Sequence, residues 1–131
     1  NIIAASKYRL ARDNGINANI MIRDTDEVAA DEVYLCSLMS NILQNAAENT
    51  PPNGSIDFRM FVKAGNLVIT CKNDTYADSV SLETSKPDRE RHGYGLRIID
   101  DIVKLVNGNC IREQRDSVFS TMINIPLGEH V

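Results

Sequence analysis

The run Leu35-Cys36-Ser37-Leu38-Met39-Ser40-Asn41-Ile42-Leu43-Gln44-Asn45-Ala46-Ala47-Glu48-Asn49 decides how this chain folds. Leu35, Leu38, Met39, Ile42 and Ala46 recur at three- and four-residue spacing, which predicts an amphipathic helix over 31–49 with one apolar stripe. Pro51-Pro52-Asn53-Gly54 then ends it in a turn. Upstream, Ile16, Ala18, Ile20 and Ile22 alternate with Asn17, Asn19 and Met21 and predict a half-buried strand. Before that, 2–14 has a loose helical pattern that stops at Asn14-Gly15. Downstream, Ile56, Phe58, Met60 and Val62 alternate, then Leu67, Ile69 and Cys71, with a hairpin turn at Ala64-Gly65-Asn66.

Residues 74–92 read differently, as a long polar loop without a glycine. A loop of that length inside a compact domain is usually functional or disordered. Leu96, Ile99, Ile102, Val103 and Val106 predict a second core helix closed by Asn107-Gly108, and two strands over 109–115 and 118–125 turn at Asp116-Ser117. The order α-β-α-β-β-loop-α-β-β predicts a two-layer α/β sandwich, its mixed, mainly antiparallel sheet covered on one face by helices.

Composition narrows the function. The 131 residues suit one domain, 1–131, which at this size buries roughly two-thirds of its unfolded surface without disulfides. Hydrophobic residues at 43% and charged residues at 24% are ordinary for a globular protein and argue against disorder or a coiled coil. Eighteen acidic against 14 basic residues give a net charge of −4, so nucleic-acid binding is not expected. No apolar run approaches the ~18–20 residues of a membrane span, and no basic-then-apolar leader is visible, so a cytoplasmic location is expected. Cys36, Cys71 and Cys110 are too widely spaced for a zinc knuckle and read as small buried hydrophobes. The chain opens on Asn1, directly in an amphipathic stretch, and reads as a piece of a longer polypeptide.

Three features carry candidate chemistry. Ser37, Asn41, Gln44, Asn45 and Glu48 share one side of the first long helix, with Asn41, Asn45 and Glu48 stacked. Such a face is ordinarily just solvated, but Asn is a middling helix former, because its amide competes for backbone groups. An amide oxygen suits a hard cation such as Mg²⁺, and its N–H₂ suits phosphate. Second, His92-Gly93-Tyr94-Gly95-Leu96 predicts a sharp glycine turn opening onto a helix N-terminus, where unpaired N–H groups favour an anion. Loops also use G-x-G for geometry alone. Third, Asn73 closes the apolar strand face of Ile69 and Cys71, where it either starts a turn or reads the polar edge of a base.

Together these motifs resemble the GHKL ATP-binding domain, in particular the catalytic domain of sensor histidine kinases of the AgrC-like quorum-sensing branch. Ile42-Leu43-Gln44-Asn45-Ala46-Ala47-Glu48-Asn49 is similar to that branch's L-L-x-N-A-x-E-A motif. The stretch from Thr84 through Lys86 and Asp88 to His92-Gly93-Tyr94-Gly95-Leu96 is similar to its lid, T-x-K-x-D-x-x-x-H-G-x-G-L. The resemblance covers nearly the whole chain. It implies a site for ATP and Mg²⁺ built from Asn41, Asn45, Asn73, Lys86, His92, Gly93, Tyr94, Gly95 and Leu96. Asn45 would ligate the metal, Asn41 would support the phosphates, and Lys86 and His92 would be lid contacts that become ordered with nucleotide.

Asn73 would stand where most such kinases carry the Asp of a D-x-G-x-G motif. That motif is absent, since no glycine lies between Asn66 and Gly93, and Asp74 competes for the adenine contact. Hydrolysing members of the superfamily carry a Glu base where this chain has Asn41, which cannot take a proton. The resemblance therefore implies a kinase that holds ATP for an external nucleophile; no residue of this chain is catalytic. His92 and His130 are the only histidines, and neither lies on a helix that could form a phosphoacceptor bundle. The acceptor belongs to an upstream dimerisation domain, of which 1–14 is the end or the linker. A response regulator is then an indirect partner, the parent a homodimer, and this fragment makes no membrane contact. The alternative is a degenerate GHKL module with a regulatory or interaction role and no ATP turnover.

Overall fold

The structure, a computed structural model, describes residues 2–23, 25, 32–76 and 86–128, with the backbone alone for 86–94. Its elements run α1 (Ile2–Asp13), β1 (Asn17–Ile22), α2 (Glu32–Asn49), β2 (Ser55–Lys63), β3 (Asn66–Asp74), α3 (Lys86–Leu105), β4 (Asn109–Arg115) and β5 (Val118–Pro126). The five strands form one sheet in the order β1-β2-β3-β5-β4. β1 and β2 are parallel, joined across α2, and every other pair is antiparallel. This is the mixed, helix-covered sheet that the sequence predicts.

Period-two alternation sets which residues go inside. Phe58, Leu67, Ile69, Ile123 and Ile125 point into one layer and meet Leu38, Met39 and Ile42 of α2 and Ile99, Ile102 and Val103 of α3. Full burial of such a side chain contributes about 1.5–3 kcal/mol. On the other face Ile111 and Met122 stay 55% and 51% exposed. α1 joins the core through Ala11, with Leu10 packed beside it, and Lys7 Nζ donates to Gln44 Oε1 of α2 at 2.7 Å.

One expectation fails. The loop predicted over 74–92 is shorter, because β3 runs through Asp74 and α3 begins at Lys86. Pro87 and the acidic Asp88 and Glu90 supply a helix-start composition there that the polar reading overlooked. The remainder of that loop, 77–85, lies outside the described residues.

The end of α2 and the end of β3 meet at Gly54. A Cβ there would lie 2.8 Å from Thr50 Cγ2, 2.9 Å from the Pro51 carbonyl oxygen and 3.3 Å from Asp74 Cβ. Overpacking of this kind costs about 1–3 kcal/mol. Gly54→Ala should therefore lower the urea midpoint of unfolding by that equivalent; an unchanged midpoint would show that the joint can relax.

Candidate functional site

In α2 the amides of the polar face turn back on the helix. Asn41 Nδ2 donates to the Ser37 carbonyl at 2.8 Å and lies 3.3 Å from Ser37 Oγ. One turn on, Asn49 Nδ2 donates to the Asn45 carbonyl at 2.7 Å and to Asn45 Oδ1 at 3.2 Å. Side-chain donors bonded four residues back are what makes Asn tolerable in mid-helix. They also fix which way each amide faces. With its nitrogen committed to the helix, Asn41 turns its oxygen outward, and the Asn45 oxygen keeps a second lone pair.

The stack predicted for Asn41, Asn45 and Glu48 divides in two. Gln44 Nε2 donates to Glu48 Oε1 at 2.8 Å while Gln44 Oε1 accepts from Lys7, so that pair faces α1. A groove of about 250 Å³ lies there, lined by Leu10, Asn14, Gln44, Ala47, Glu48, Thr50, Pro52 and Tyr76. Asn41 instead faces α3: a Cβ placed on Gly95 would lie 3.9 Å from Asn41 Oδ1. The two motifs, about fifty residues apart in the sequence, thus meet where α3 packs beside α2.

The helix start predicted at Gly93-Gly95 is not there. Both glycines lie inside α3, which starts at Lys86, and Gly95 is not among the positive-φ glycines. An internal glycine costs a helix roughly 0.8–1 kcal/mol against Ala, which α3 tolerates. A Cβ at Gly95 would stand in ordinary van der Waals contact with Asn41 Oδ1, so Gly95 marks where α3 meets the polar face of α2. The unpaired N–H groups of the helix start belong to the first turn from Lys86, not to Leu96. Leu96 is half-buried and packs on the core. The side chains of Lys86, His92 and Tyr94, expected as lid contacts, lie outside those described.

At the end of β3, Asn73 and Asp74 go opposite ways. Asn73 is 3% exposed on the inward face, and its Nδ2 donates to the Asp74 carbonyl at 3.1 Å, leaving Oδ1 as an acceptor. Asp74 Oδ2 accepts from the Ser55 backbone N–H at 2.7 Å and so secures the start of β2. Of the two residues left open by the sequence, Asn73 has the inward amide and Asp74 has a structural bond.

Sequence reasoning missed Asn49, although its place four residues beyond Asn45 continues the ladder. It also missed Arg112 of β4, whose Nη2 is 2.9 Å from Asp100 Oδ1 of α3. That contact is an ion pair by distance but lacks hydrogen-bond alignment, and the Arg112 Nε and Nη2 atoms are buried without a hydrogen bond. No cluster of three or more His, Cys, Asp or Glu able to hold a metal occurs among the described residues. An amide oxygen is nonetheless a hard donor, and Mg²⁺ commonly takes few protein ligands, the rest being phosphate oxygens and waters. Asn45 fits that role. Among the described residues no helix is long and apolar enough to cross a membrane.

A family model described as GHKL domain matches residues 31–126. No curated protein matches the chain. Solved structures do. The catalytic domain of the histidine kinase ThkA, in a nucleotide-free form, superposes with a TM-score of 0.74 at 21% identity, covering 96% of this chain and 92% of that one. The histidine kinase domain of the blue-light-activated kinase EL346 from Erythrobacter litoralis gives 0.75 at 21%, covering 95% and 61%. Full-length ShkA, solved with AMPPNP, gives 0.75 at 17%, covering 99% and 29%. At these identities the likeness is one of fold.

Two residues before Asn73 on the same inward face, Cys71 has its thiol pushed up from 9.0 to about 12, first by burial and then by the Asp57 carboxylate. Between those values the unfolded chain releases a proton that the folded chain keeps. Stability attributable to this thiol is therefore complete below pH 9 and falls as pH rises toward 12, by up to about 1.4 kcal/mol per pH unit. Urea unfolding of wild type and Cys71→Ala from pH 8 to 11 should show a difference that shrinks with pH; a constant difference would contradict the thiol's role.

Proposed function

The chain belongs to the GHKL domain family, and from that premise we propose that it is the ATP-binding catalytic domain of a sensor histidine kinase. Its fold is that of histidine kinase catalytic domains. The observation that carries the reading is that α3 brings Gly95 of the second motif beside the Asn41 oxygen of the first. In this reading the base lies toward Asn73 and the phosphates lie between α2 and α3. Asn73 at the end of β3, where most such kinases have Asp, supports the AgrC-like branch. Asn73 Oδ1 accepts from the adenine amino group, and Asn45 Oδ1 holds Mg²⁺. A metal held there would neutralise the charge of the phosphates. Lys86, His92, Gly93 and Tyr94 complete the phosphate side.

The γ-phosphoryl group passes to an imidazole nitrogen of a histidine on an upstream dimerisation domain, with ADP as leaving group. α1 is the end of, or the linker from, that domain, and its Lys7 ties it to α2. The phosphohistidine then serves a response regulator, in a homodimeric parent whose catalytic part is cytoplasmic. Asn41 explains why water is not the acceptor: its amide cannot take a proton at neutral pH, and its nitrogen is already bonded to Ser37.

Calorimetry of ATP binding with and without Mg²⁺ tests this. Wild type should bind ATP more tightly with the metal, and Asn45→Ala should lose most of that gain while retaining metal-free binding. If the two proteins respond to Mg²⁺ alike, Asn45 is not its ligand. In steady state the isolated domain should release no phosphate above background; repeated turnover by contaminant-free protein would exclude a kinase-type site, and Asn41→Glu should introduce slow hydrolysis.

A further inference from the structure

We infer that Phe119 forms the apolar floor of the purine pocket, the ring on which the base of the nucleotide rests beside Asn73, an assignment that depends on the ATP-binding reading above. Strand register brings it there. Ile56, Asn73, Phe119 and Gln114 stand side by side across β2, β3, β5 and β4. Directly paired residues on neighbouring antiparallel strands have Cβ atoms about 4.5–5.5 Å apart, so Asn73 and Phe119 line the same space. Phe119 has the same parity as Thr121, Ile123 and Ile125, which are 8%, 0% and 2% exposed, and therefore faces the helix layer.

Unlike Ile123 and Ile125, it is only half-buried and does not join the core cluster formed by the described residues. An inward aromatic ring outside the core of the described residues, next to one inward amide oxygen, fits a flat heteroaromatic ligand with an amino group on its edge. Gln114 stands at the outer end of that row. Its Nε2 donates to Thr75 Oγ1 at 3.2 Å and to the Asp116 carbonyl at 2.8 Å, which closes the outer side of the row. The pocket then reads the base by one acceptor and one apolar surface, independently of the phosphates.

Titration calorimetry with ATP, ADP and adenosine tests this on the 131-residue chain. Base–aromatic contacts set the expected scale: Phe119→Ala should weaken all three ligands by about tenfold, and Phe119→Tyr should restore them. The chain has no tryptophan, so Phe119→Trp introduces a single reporter whose emission should change on saturation with adenosine. That variant carries the test if Phe119→Ala fails to fold. Affinity unchanged in Phe119→Ala, a loss confined to ATP, or a silent Phe119→Trp reporter in a complex that calorimetry shows to be saturated would each overturn the Phe119 assignment alone. A wild type that binds no ATP would overturn the ATP reading and this inference with it.

Discussion

The seating of α2 on β2 and β3 is the constraint from which the rest of the molecule follows. Leu38, Met39, Ile42 and Ala46 are almost completely buried against strands that contribute Phe58 and Ile69. At 100° per residue, burying that stripe fixes where every other α2 side chain points. Asn41 is carried toward α3, while Gln44 and Glu48 are carried toward α1. An 18-residue helix thereby serves as a core element and as the wall that carries the candidate amides, with no loop between the two roles. A wall built on a helix locked by its core side is more exactly placed than one built on a loop.

The far end of α2 is tied to the sheet just as firmly. Gly54 fits between Thr50 and Asp74, and the Asp74 carboxylate accepts the Ser55 N–H at 2.7 Å. Thr50 itself is buried, its hydroxyl donating to the Ala46 carbonyl at 2.6 Å. These contacts hold the last turn of α2, which carries Asn45 and Asn49, against the end of β3, which carries Asn73. A charged residue next to the candidate base contact thus acts on the scaffold, and the neutral amide beside it is the one that points inward.

The α3 side is held by different chemistry. Ile99, Ile102 and Val103 anchor its second half in the core. Asp100 reaches Arg112 of β4, whose guanidinium is mostly buried and incompletely bonded. Leaving buried donors without acceptors is costly, and replacing a buried ion pair by apolar groups is often stabilising. With Asp100 half exposed, the pair is only partly desolvated, and its clear effect is to join α3 to β4. Toward its N-terminus α3 reaches Gly95, which stands beside Asn41 of α2.

Local patterns in the sequence determined the helices of the core, the alternating strands and their turns, because periodicity of 3.6 or 2 is a property of neighbouring residues. The same patterns made Asn41 and Asn45 legible as amides beside an apolar stripe, and Asn73 as the polar residue that closes one. The start of α3 was not legible: two glycines signal a turn locally, yet packing of the apolar second half carries the helix back through them to Lys86. Phe119 and Arg112 were hidden for a related reason. Nothing near either residue in the chain names its partner, since β5 pairs with β3 across α3 and β4, and α3 meets β4 only through side chains from separate segments. Which amide of α2 faces α3, which ring lies beside Asn73 and which cation is buried under α3 were decided by tertiary structure, because strand register and helix–helix approach bring together residues that no local period relates.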